Sequence, residues 1–313
     1  MTILIVEDVY GPPFAALADV VYEPTAFGND SLLTQLLADA QALVVRNRTQ
    51  VTAGLLAKAP NLKIVARAGV GLDNIDIPAC NNAGVAVVAG LGANAVSVGE
   101  LAVGLALSVS RQIVLHHGAI GAGRWDRIPG SELSGKTWGL VGCGATAKAT
   151  AKLLTGFDMK LVGYDPFVKA DDPAMQQLGI KVTSLDEVLA KSDFVSIHVP
   201  ANKETNHLIN SQRLATMKST AVIINVGRGE VIDESALVNA LTEKKIAGAG
   251  LDVRETEPSD ASLFAKFPNV VLTPHIAGIT AESQDRINQI LADEISRKFA
   301  GEPLRYAVGE IKA

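Results

Sequence analysis

The sequence predicts an α/β protein built from two doubly wound parallel-sheet domains with a cleft between them. Three observations support this fold class. In both halves of the 313-residue chain, short apolar runs alternate with helical patterns, as in a parallel sheet covered by helices on both faces. A glycine pair follows one of these runs near residue 142 and opens a helix. An amphipathic run at 281–299 is long enough to return to the first half.

In the first half, short apolar runs predict strands, and helical patterns predict the helices between them. The strands are predicted at 3–6, 42–45, 63–67 and 85–88, and the helices at 31–40 and 76–83. Because no glycine fingerprint follows the first strand, this half lacks a nucleotide signature, and we expect it to bind the substrate. Residues 94–117 predict one long apolar helix. Its position suggests a spacer that crosses from this domain to the next, and a buried core or dimer helix is the interpretation that we favour for its residues.

The stretch 136–165 has the order strand, glycine turn, helix, strand and acid that is typical of a dinucleotide site. Its strands are predicted at 137–141 and 160–164. Gly142 allows the tight turn, Gly144 lets the backbone approach a pyrophosphate, and the small Ala147 lets the helix pack on the strand. Asp165 can bond the hydroxyls of an adenosine ribose and repels a 2′-phosphate. The stretch therefore predicts a Rossmann domain that binds NAD rather than NADP.

After this stretch the alternation continues, and polar residues follow the predicted strands. The strands are predicted at 194–199, 221–226, 247–253 and 270–273, with a helix at 234–242. Ligands of parallel sheets collect at the carboxyl ends of the strands. Arg228, Glu257 and His275 each follow one of these strands, so we expect them at one edge of the sheet, beside the cofactor.

These three residue types supply what hydride transfer from a hydroxy acid requires. The Arg228 guanidinium can clamp a carboxylate through two hydrogen bonds. The His275 imidazole can take the hydroxyl proton and return it in the reverse reaction. The Glu257 carboxylate can bond the other ring nitrogen, which fixes the tautomer and raises the pKa of the imidazole. Each residue alone could have a structural role, but together they predict a catalytic set.

Composition limits the other classes of function. The net charge of −5 gives no basic surface for nucleic acid. No apolar stretch approaches the roughly 20 residues that cross a bilayer. The two cysteines, Cys80 and Cys143, offer no disulfide framework and no metal-binding pattern. We therefore expect a cytoplasmic protein without a metal, whose partner is a small molecule rather than nucleic acid or a membrane.

Several segments, in this order along the chain, resemble one known family. They are VVRNRTQVT (44–52), RAGVGLDNID (67–76), NAVSVGEL (94–101), GKTWGLVGCGATAK (135–148), INVGRGEVID (224–233), AGLDVRETEP (249–258) and LTPHIAG (272–278). The sequence resembles the D-isomer-specific 2-hydroxyacid dehydrogenase family, and within it the phosphoglycerate dehydrogenase-like branch.

The resemblance implies a flavodoxin-like substrate-binding domain at 1–96 and 282–313 and a Rossmann NAD-binding domain at 97–281. It also implies a homodimer joined through the NAD-binding domains. Because the sequence stops at residue 313, we expect the catalytic core alone, without the C-terminal regulatory domain of longer members.

The resemblance also implies roles for individual residues. Arg228, Glu257 and His275 take the catalytic positions. The cofactor-binding positions are Gly142, Gly144, Ala145, Thr146, Asp165, Thr205, Val226, Gly227, Asp252 and Gly278. The substrate-binding positions are Arg46, Val70, Gly71 and Arg228. Of these, the backbone N–H groups of Val70 and Gly71 receive the substrate carboxylate. Arg46 and the neighbouring Arg48 either face a second anionic group or only keep the surface soluble.

The implied function is an NAD-dependent oxidoreductase that transfers a hydride between nicotinamide and a small (R)-2-hydroxy acid, with 3-phosphoglycerate and phosphohydroxypyruvate as the leading substrate pair. Hydroxypyruvate, glyoxylate and a sulfonated hydroxy acid are alternative substrates. A non-enzymatic, NAD-sensing corepressor-like binder is a second class, which the lack of long disordered flanks and of a basic tail disfavours. Arg254 stands where the family has an aromatic residue, and it either faces solvent or touches an anionic substrate group.

Overall fold

The computed structural model describes residues 2–9, 11–259 and 262–311, which form two compact units. Unit 1 comprises Met1–Asn94 and Ile279–Ala313, and unit 2 comprises Ala95–Gly278. The boundaries expected from the resemblance, 96/97 and 281/282, lie within a few residues of these. Each unit is built on one sheet of mainly parallel strands with helices beside it, which confirms the prediction of two parallel-sheet α/β domains.

In the described part of unit 1, six strands form one sheet. They are β1 (Ile3–Ile5), β2 (Val20–Tyr22), β3 (Ala42–Val45), β4 (Ile64–Arg67), β5 (Ala86–Ala89) and β13 (Ala307–Val308). The order across the sheet is β13-β5-β4-β3-β1-β2, and only β13 runs antiparallel to its neighbour. The helices are α1 (Pro12–Ala15), α2 (Asp30–Leu37), α3 (Ala53–Leu56), α4 (Ile77–Asn82) and α13 (Ala281–Ala300).

The core of unit 1 lies on both faces of its sheet, because successive residues of a strand point to opposite faces. Leu4 and Leu43 pack with α2, α3 and α4 on one face. Ile3 and Val44 pack with α1 and α13 on the other. α13 begins with a capping box at Thr280 and completes this unit from the C-terminal part of the chain.

In the described part of unit 2, seven parallel strands form one sheet in the order β12-β11-β10-β9-β6-β7-β8. The strands are β6 (Thr137–Val141), β7 (Lys160–Tyr164), β8 (Ile180–Val182), β9 (Phe194–Ile197), β10 (Val222–Asn225), β11 (Gly248–Leu251) and β12 (Val270–Leu272). The helices are α5 (Ala95–Ser110), α6 (Ile113–Gly121), α7 (Ala145–Leu154), α8 (Pro173–Gln177), α9 (Leu185–Lys191), α10 (Ser211–Thr216), α11 (Glu234–Thr242) and α12 (Ser262–Ala265). The strand order reverses between β6 and β9, and ligands of doubly wound sheets bind beyond the carboxyl ends of the strands at such a point.

The prediction of a single helix at 94–117 is wrong. The run forms two helices, α5 and α6, which are separated at Gln112 and bent by 60°. Gln112 has a φ of 52°, in the left-handed region, which ends the first helix although neither glycine nor proline stands at this position. In the described part of the chain, no single helix is long and apolar enough to cross a membrane, and α5 and α6 pass that test only together, as a bent pair.

Candidate active site

The structure brings His275 and Glu257 together at the carboxyl edge of the unit 2 sheet. His275 follows β12 and Glu257 follows β11, two neighbouring strands. Nδ1 of His275 lies 2.7 Å from Oε2 of Glu257. An ionised carboxylate can only accept a hydrogen bond, so Nδ1 carries a proton and Nε2 is left for a ligand. The two side chains are 47% and 38% exposed, so a ligand can reach them.

The two partners shift each other's pKa in opposite directions. The hydrogen bond to Glu257 raises the pKa of His275 above its ordinary value, although burial and the nearby Arg228 charge act to lower it. Burial acts to raise the pKa of Glu257, but the hydrogen bonds from His275 and from the Arg254 backbone, together with the Arg228 charge, lower it overall. Glu257 therefore stays ionised while His275 holds its proton to a higher pH than a free imidazole.

Arg228 is the third member of the predicted set, and its charge acts on both His275 and Glu257. It follows β10, and its Nη1 donates to the carbonyl of Gly227 at 2.9 Å. The buried Asn225 holds this loop, because its Nδ2 donates to the Arg228 carbonyl at 2.9 Å and its Oδ1 accepts from the Gly227 N–H at 3.1 Å. Asn225 was not among the predicted site residues, and its one signal in the sequence is an amide at the end of an apolar strand.

Asp252 is buried and anchors the loop that carries His275. Its Oδ1 accepts from the Thr273 hydroxyl at 2.6 Å and from the Ile276 N–H at 2.9 Å, and its Oδ2 accepts from the Ala277 N–H at 2.8 Å. The His275 N–H donates to the Asp252 carbonyl at 2.8 Å. These bonds hold His275 at a φ of 55°. The cofactor role expected for Asp252 stays a prediction beside this structural one.

The interpretation that Arg254 faces solvent is wrong. Its side chain is 6% exposed and pairs with Glu234 of α11, whose side chain is 13% exposed. Nε and Nη2 of Arg254 donate to the two carboxylate oxygens at 2.7 and 3.1 Å, and the guanidinium lies 4.5 Å from the centre of the Phe264 ring. The backbone N–H of Arg254 donates to Oε1 of Glu257 at 3.0 Å. A Cβ at position 229 would lie 1.9 Å from the Arg254 carbonyl carbon, so this close approach requires Gly229.

The turn between β6 and α7 fits a pyrophosphate. Gly142 has a φ of 91°, and a Cβ there would lie 2.8 Å from the Val199 side chain, so the tight turn requires glycine. Among the described residues, the backbone N–H groups of Gly144, Ala145 and Thr146 have no hydrogen-bond acceptor. These groups form the N-terminal end of α7, where the helix dipole favours an anion.

The remaining predicted cofactor residues lie on loops at the carboxyl ends of the unit 2 strands. Asp165 follows β7, and its two oxygens accept from the Cys143 and Phe167 N–H groups at 2.9 Å each, which leaves further lone pairs for a ribose. The Thr205 hydroxyl donates to the Pro200 carbonyl at 2.7 Å and so shapes its own turn. Val226 and Gly227 follow β10, and Gly278 ends unit 2. Their cofactor contacts stay predictions.

The predicted substrate-binding residues lie in loops of unit 1. Arg46 and Arg48 follow β3, in a loop held by Glu7, which is 2% exposed. Glu7 accepts hydrogen bonds from four consecutive backbone N–H groups, those of Arg46, Asn47, Arg48 and Thr49, at 2.9 to 3.1 Å. Burial acts to raise the pKa of Glu7, but these hydrogen bonds lower it overall. Glu7 was not among the predicted site residues, and its one signal in the sequence is an acid directly after an apolar strand.

The Arg48 guanidinium lies 4.8 Å from the centre of the Phe27 ring, so this side chain has a partner within unit 1. Val70 and Gly71 follow β4. Among the described residues, their backbone N–H groups have no acceptor and can receive a carboxylate.

The cysteines and the acidic side chains give no sign of a metal centre. Cys80 and Cys143 are both buried and unpaired. Within the described ranges, no group of three or more His, Cys, Asp or Glu side chains could hold a metal ion.

Comparison with known proteins identifies relatives of this chain. The family model described as D-isomer specific 2-hydroxyacid dehydrogenase, NAD binding domain, matches residues 103–277. The chain is 41% identical over 303 residues to D-3-phosphoglycerate dehydrogenase of Mycobacterium bovis, an alignment that covers 96% of this chain and 57% of that protein. The chain therefore spans little more than half the length of that relative.

Two further relatives match over nearly their whole length. The chain is 41% identical over 292 residues to (S)-sulfolactate dehydrogenase of Chromohalobacter salexigens, covering 90% of this chain and 94% of that protein. The crystal structure of the holo form of Rhodotorula graminis D-mandelate dehydrogenase superposes with a TM-score of 0.88 at 31% identity, covering 100% of this chain and 98% of that one.

Proposed function

The chain belongs to the D-isomer-specific 2-hydroxyacid dehydrogenase family, and from this we propose that it is an NAD-dependent oxidoreductase acting on the CH–OH group of small (R)-2-hydroxy acids. The observation that carries the proposal is the His275–Glu257 pair, bonded at 2.7 Å at the same edge of the sheet as the dinucleotide turn. Asp165 favours NAD over NADP, because a carboxylate at this position repels a 2′-phosphate.

The residues of unit 2 divide the chemistry between them. Bound NAD supplies the hydride acceptor, and NADH supplies the donor in the reverse direction. In reduction, Nε2 of His275 gives its proton to the carbonyl oxygen of a 2-keto acid, and in oxidation it takes the hydroxyl proton. Glu257 stabilises the imidazolium and keeps Nδ1 protonated. Arg228 holds the substrate carboxylate and polarises the reacting carbonyl.

The substrate binds through two anionic groups in this proposal. The free N–H groups of Val70 and Gly71 receive the carboxylate, and Arg46 binds a second anion at the far end of the molecule. 3-Phosphoglycerate and phosphohydroxypyruvate are the substrate pair that we put first, supported by the match to D-3-phosphoglycerate dehydrogenase.

Sulfolactate is the second candidate, supported by the nearly full-length match to (S)-sulfolactate dehydrogenase. In sulfolactate the CH2 group that carries sulfur ranks above the carboxylate in the stereochemical priority rules, whereas in 3-phosphoglycerate the CH2 group that carries oxygen ranks below it. The descriptor therefore changes while the spatial arrangement stays the same, and (S)-sulfolactate corresponds to (R)-3-phosphoglycerate. One site geometry therefore serves both acids, and the two differ in the distal group, a phosphate or a sulfonate. Hydroxypyruvate and glyoxylate lack a second anion.

The test is the consumption of NADH with a panel of 2-keto acids that contains phosphohydroxypyruvate, sulfopyruvate, hydroxypyruvate and glyoxylate. Arg46→Ala should raise KM for the first two by about tenfold or more, as expected for a lost charge-assisted hydrogen bond, and leave KM for glyoxylate unchanged. Arg48→Ala removes the same charge from the same loop and is the matched comparison. Because the Arg48 guanidinium lies over Phe27, this variant should change KM for the first two substrates less than Arg46→Ala does. An equal effect of Arg46→Ala on all four substrates contradicts the distal-anion assignment.

The cellular setting belongs to the proposal as well. We propose that the protein is cytoplasmic, because its two unpaired thiols suit a reducing compartment.

We also infer that the protein is a homodimer formed by unit 2. That unit exposes apolar side chains on α5, α6 and the segment after them, namely Val96, Ile113, Val114, Ile120, Trp125 and Ile128. Light scattering should find a dimer, and Val114→Glu with Trp125→Glu should give a monomer. A monomeric wild type refutes this part.

A further inference from the structure

A chain of hydrogen bonds runs from the core of unit 2 to the turn at the start of α7. Nε1 of the buried Trp138 donates to the Ser196 hydroxyl at 2.8 Å. That hydroxyl lies 2.8 Å from Nε2 of His198, and Nδ1 of His198 lies 3.1 Å from the Thr146 hydroxyl. Trp138 and Ser196 lie on β6 and β9, and Thr146 is the second residue of α7. This series of hydrogen bonds therefore crosses the sheet between β6 and β9, where the strand order reverses.

Only one arrangement of protons satisfies every buried member of this chain. The indole N–H of Trp138 can only donate, so the Ser196 oxygen is an acceptor on that side. Ser196 is fully buried, and among the described residues His198 Nε2 is the one atom that can accept its proton. Nε2 must then be unprotonated, because a protonated Nε2 would leave the Ser196 proton buried without an acceptor.

The state of the imidazole follows from the state of Nε2. A neutral ring with a bare Nε2 carries its proton on Nδ1, which donates to the Thr146 oxygen. Burial of the imidazole lowers the pKa of His198 to about 3, although the residue keeps part of its surface accessible, so the ring is neutral at physiological pH.

Thr146 is thereby fixed as a donor. Its oxygen accepts from His198, and among the described residues its own proton has no acceptor. The same residue carries one of the backbone N–H groups that point out of the N-terminal end of α7. Position 146 thus presents two donors to an anion, one from the backbone and one from the side chain.

We propose that His198 is a positioning residue for the dinucleotide site: as a neutral imidazole protonated on Nδ1, it directs the Thr146 hydroxyl proton toward a phosphate oxygen of the bound cofactor. This inference rests on the proposed function, since it assumes that unit 2 binds NAD. It goes beyond the role that the resemblance implies for Thr146, which is only that of a cofactor-binding position.

Binding of NADH, measured by fluorescence titration of the full chain, tests the proposal without any turnover. Thr146→Val removes the hydroxyl, and His198→Leu removes the group that orients it. Each should weaken NADH binding by about tenfold, the usual effect of one hydrogen bond to a charged group. The double variant should bind no more weakly than either single variant, because both changes remove the same bond. Additive losses overturn the proposal.

Conservative variants separate positioning from folding. Thr146→Ser keeps the hydroxyl, and His198→Asn keeps an N–H donor near the position of Nδ1, so both should bind NADH within about twofold of wild type. Adenosine, which carries no phosphate, should bind all variants equally. If Thr146→Val binds NADH as tightly as Thr146→Ser does, the hydroxyl contributes nothing and the proposal fails, whatever His198→Leu does to folding.

The tautomer itself can be observed by NMR of the protein labelled with ¹⁵N at histidine, with the His198 signals assigned by their loss in His198→Asn. We expect a neutral ring, protonated on Nδ1, at all pH values from weakly acidic to alkaline. A ring protonated on Nε2, or one that titrates near neutral pH, contradicts the proposal. The outcomes also distinguish the two inferences: wild type that binds no NADH refutes the proposed function, and tight NADH binding that is indifferent to Thr146→Val refutes only this one.

Discussion

The buried pair between Arg254 and Glu234 should stabilise unit 2 by an amount that mutation can isolate. Arg254→Met removes the guanidinium but retains an apolar side chain against Phe264. Glu234, 13% exposed, is then left with the Glu255 backbone N–H at 3.0 Å as its partner. Removing one partner of a buried ion pair costs about 3–5 kcal/mol, because the other charge stays buried.

We expect the lower end of that range, about 3 kcal/mol, because Glu234 keeps one backbone donor and some contact with water. The corresponding loss in Tm is roughly 6–12 °C for a unit of this size. Urea unfolding followed by tryptophan fluorescence measures the change, since Trp138 is fully buried in the core of unit 2.

The double variant Arg254→Met/Glu234→Leu is the matched control. It leaves no buried charge, so it should lie within about 1 kcal/mol of wild type and be more stable than Arg254→Met alone. If the double variant is the less stable of the two, the pair does not act as a buried ion pair, and the reasoning is refuted.

Two further predictions concern Glu257 and Glu7. Glu257→Gln removes the charge that raises the pKa of His275, so the rate of keto-acid reduction, which needs protonated His275, should fall away at a lower pH than in wild type; an unchanged pH–rate profile contradicts the role of Glu257. Glu7→Gln replaces one acceptor oxygen by a donor that faces two backbone N–H groups, which should destabilise unit 1 by about 2 kcal/mol or more at neutral pH. The pKa of Glu7 is lower in the folded state than in the unfolded state. The stabilisation that its carboxylate gives to unit 1 is therefore fully present above the unfolded-state pKa, and it is lost as the pH falls through the folded-state pKa. The urea midpoints of wild type and Glu7→Gln should therefore converge in acid, and a gap independent of pH argues against the ionised carboxylate as the cause.

The sequence predicted the bounds of several elements of unit 2. The strands β6 and β7 and the helix α11 begin and end at the predicted residues. The strands before the catalytic loops were predicted too long, because Val226 and Val253 are buried but belong to the loops. Apolar character reports burial, and it does not tell a buried loop residue from a strand residue. The break at Gln112 was missed for a different reason, because neither glycine nor proline marks the left-handed residue there.

The sequence also predicted that His275 and Glu257 lie together, but not how they are held. His275 and Glu257 follow adjacent strands, so the rule for parallel sheets could place them together. The partners of Arg254 and His198 could not be inferred, because they depend on side chains that meet across long sequence separations. Buried polar residues in apolar surroundings, such as Ser196, were the available signal for these networks.

The most direct test of the assignment compares wild type and His275→Ala for NADH consumption with the four keto acids and for NADH binding. Loss of the proton donor should lower kcat/KM by about 10²–10⁴-fold, while NADH binds as it does to wild type. Turnover by His275→Ala at the wild-type rate, or a wild type that binds NADH but reduces no 2-keto acid, would contradict the account.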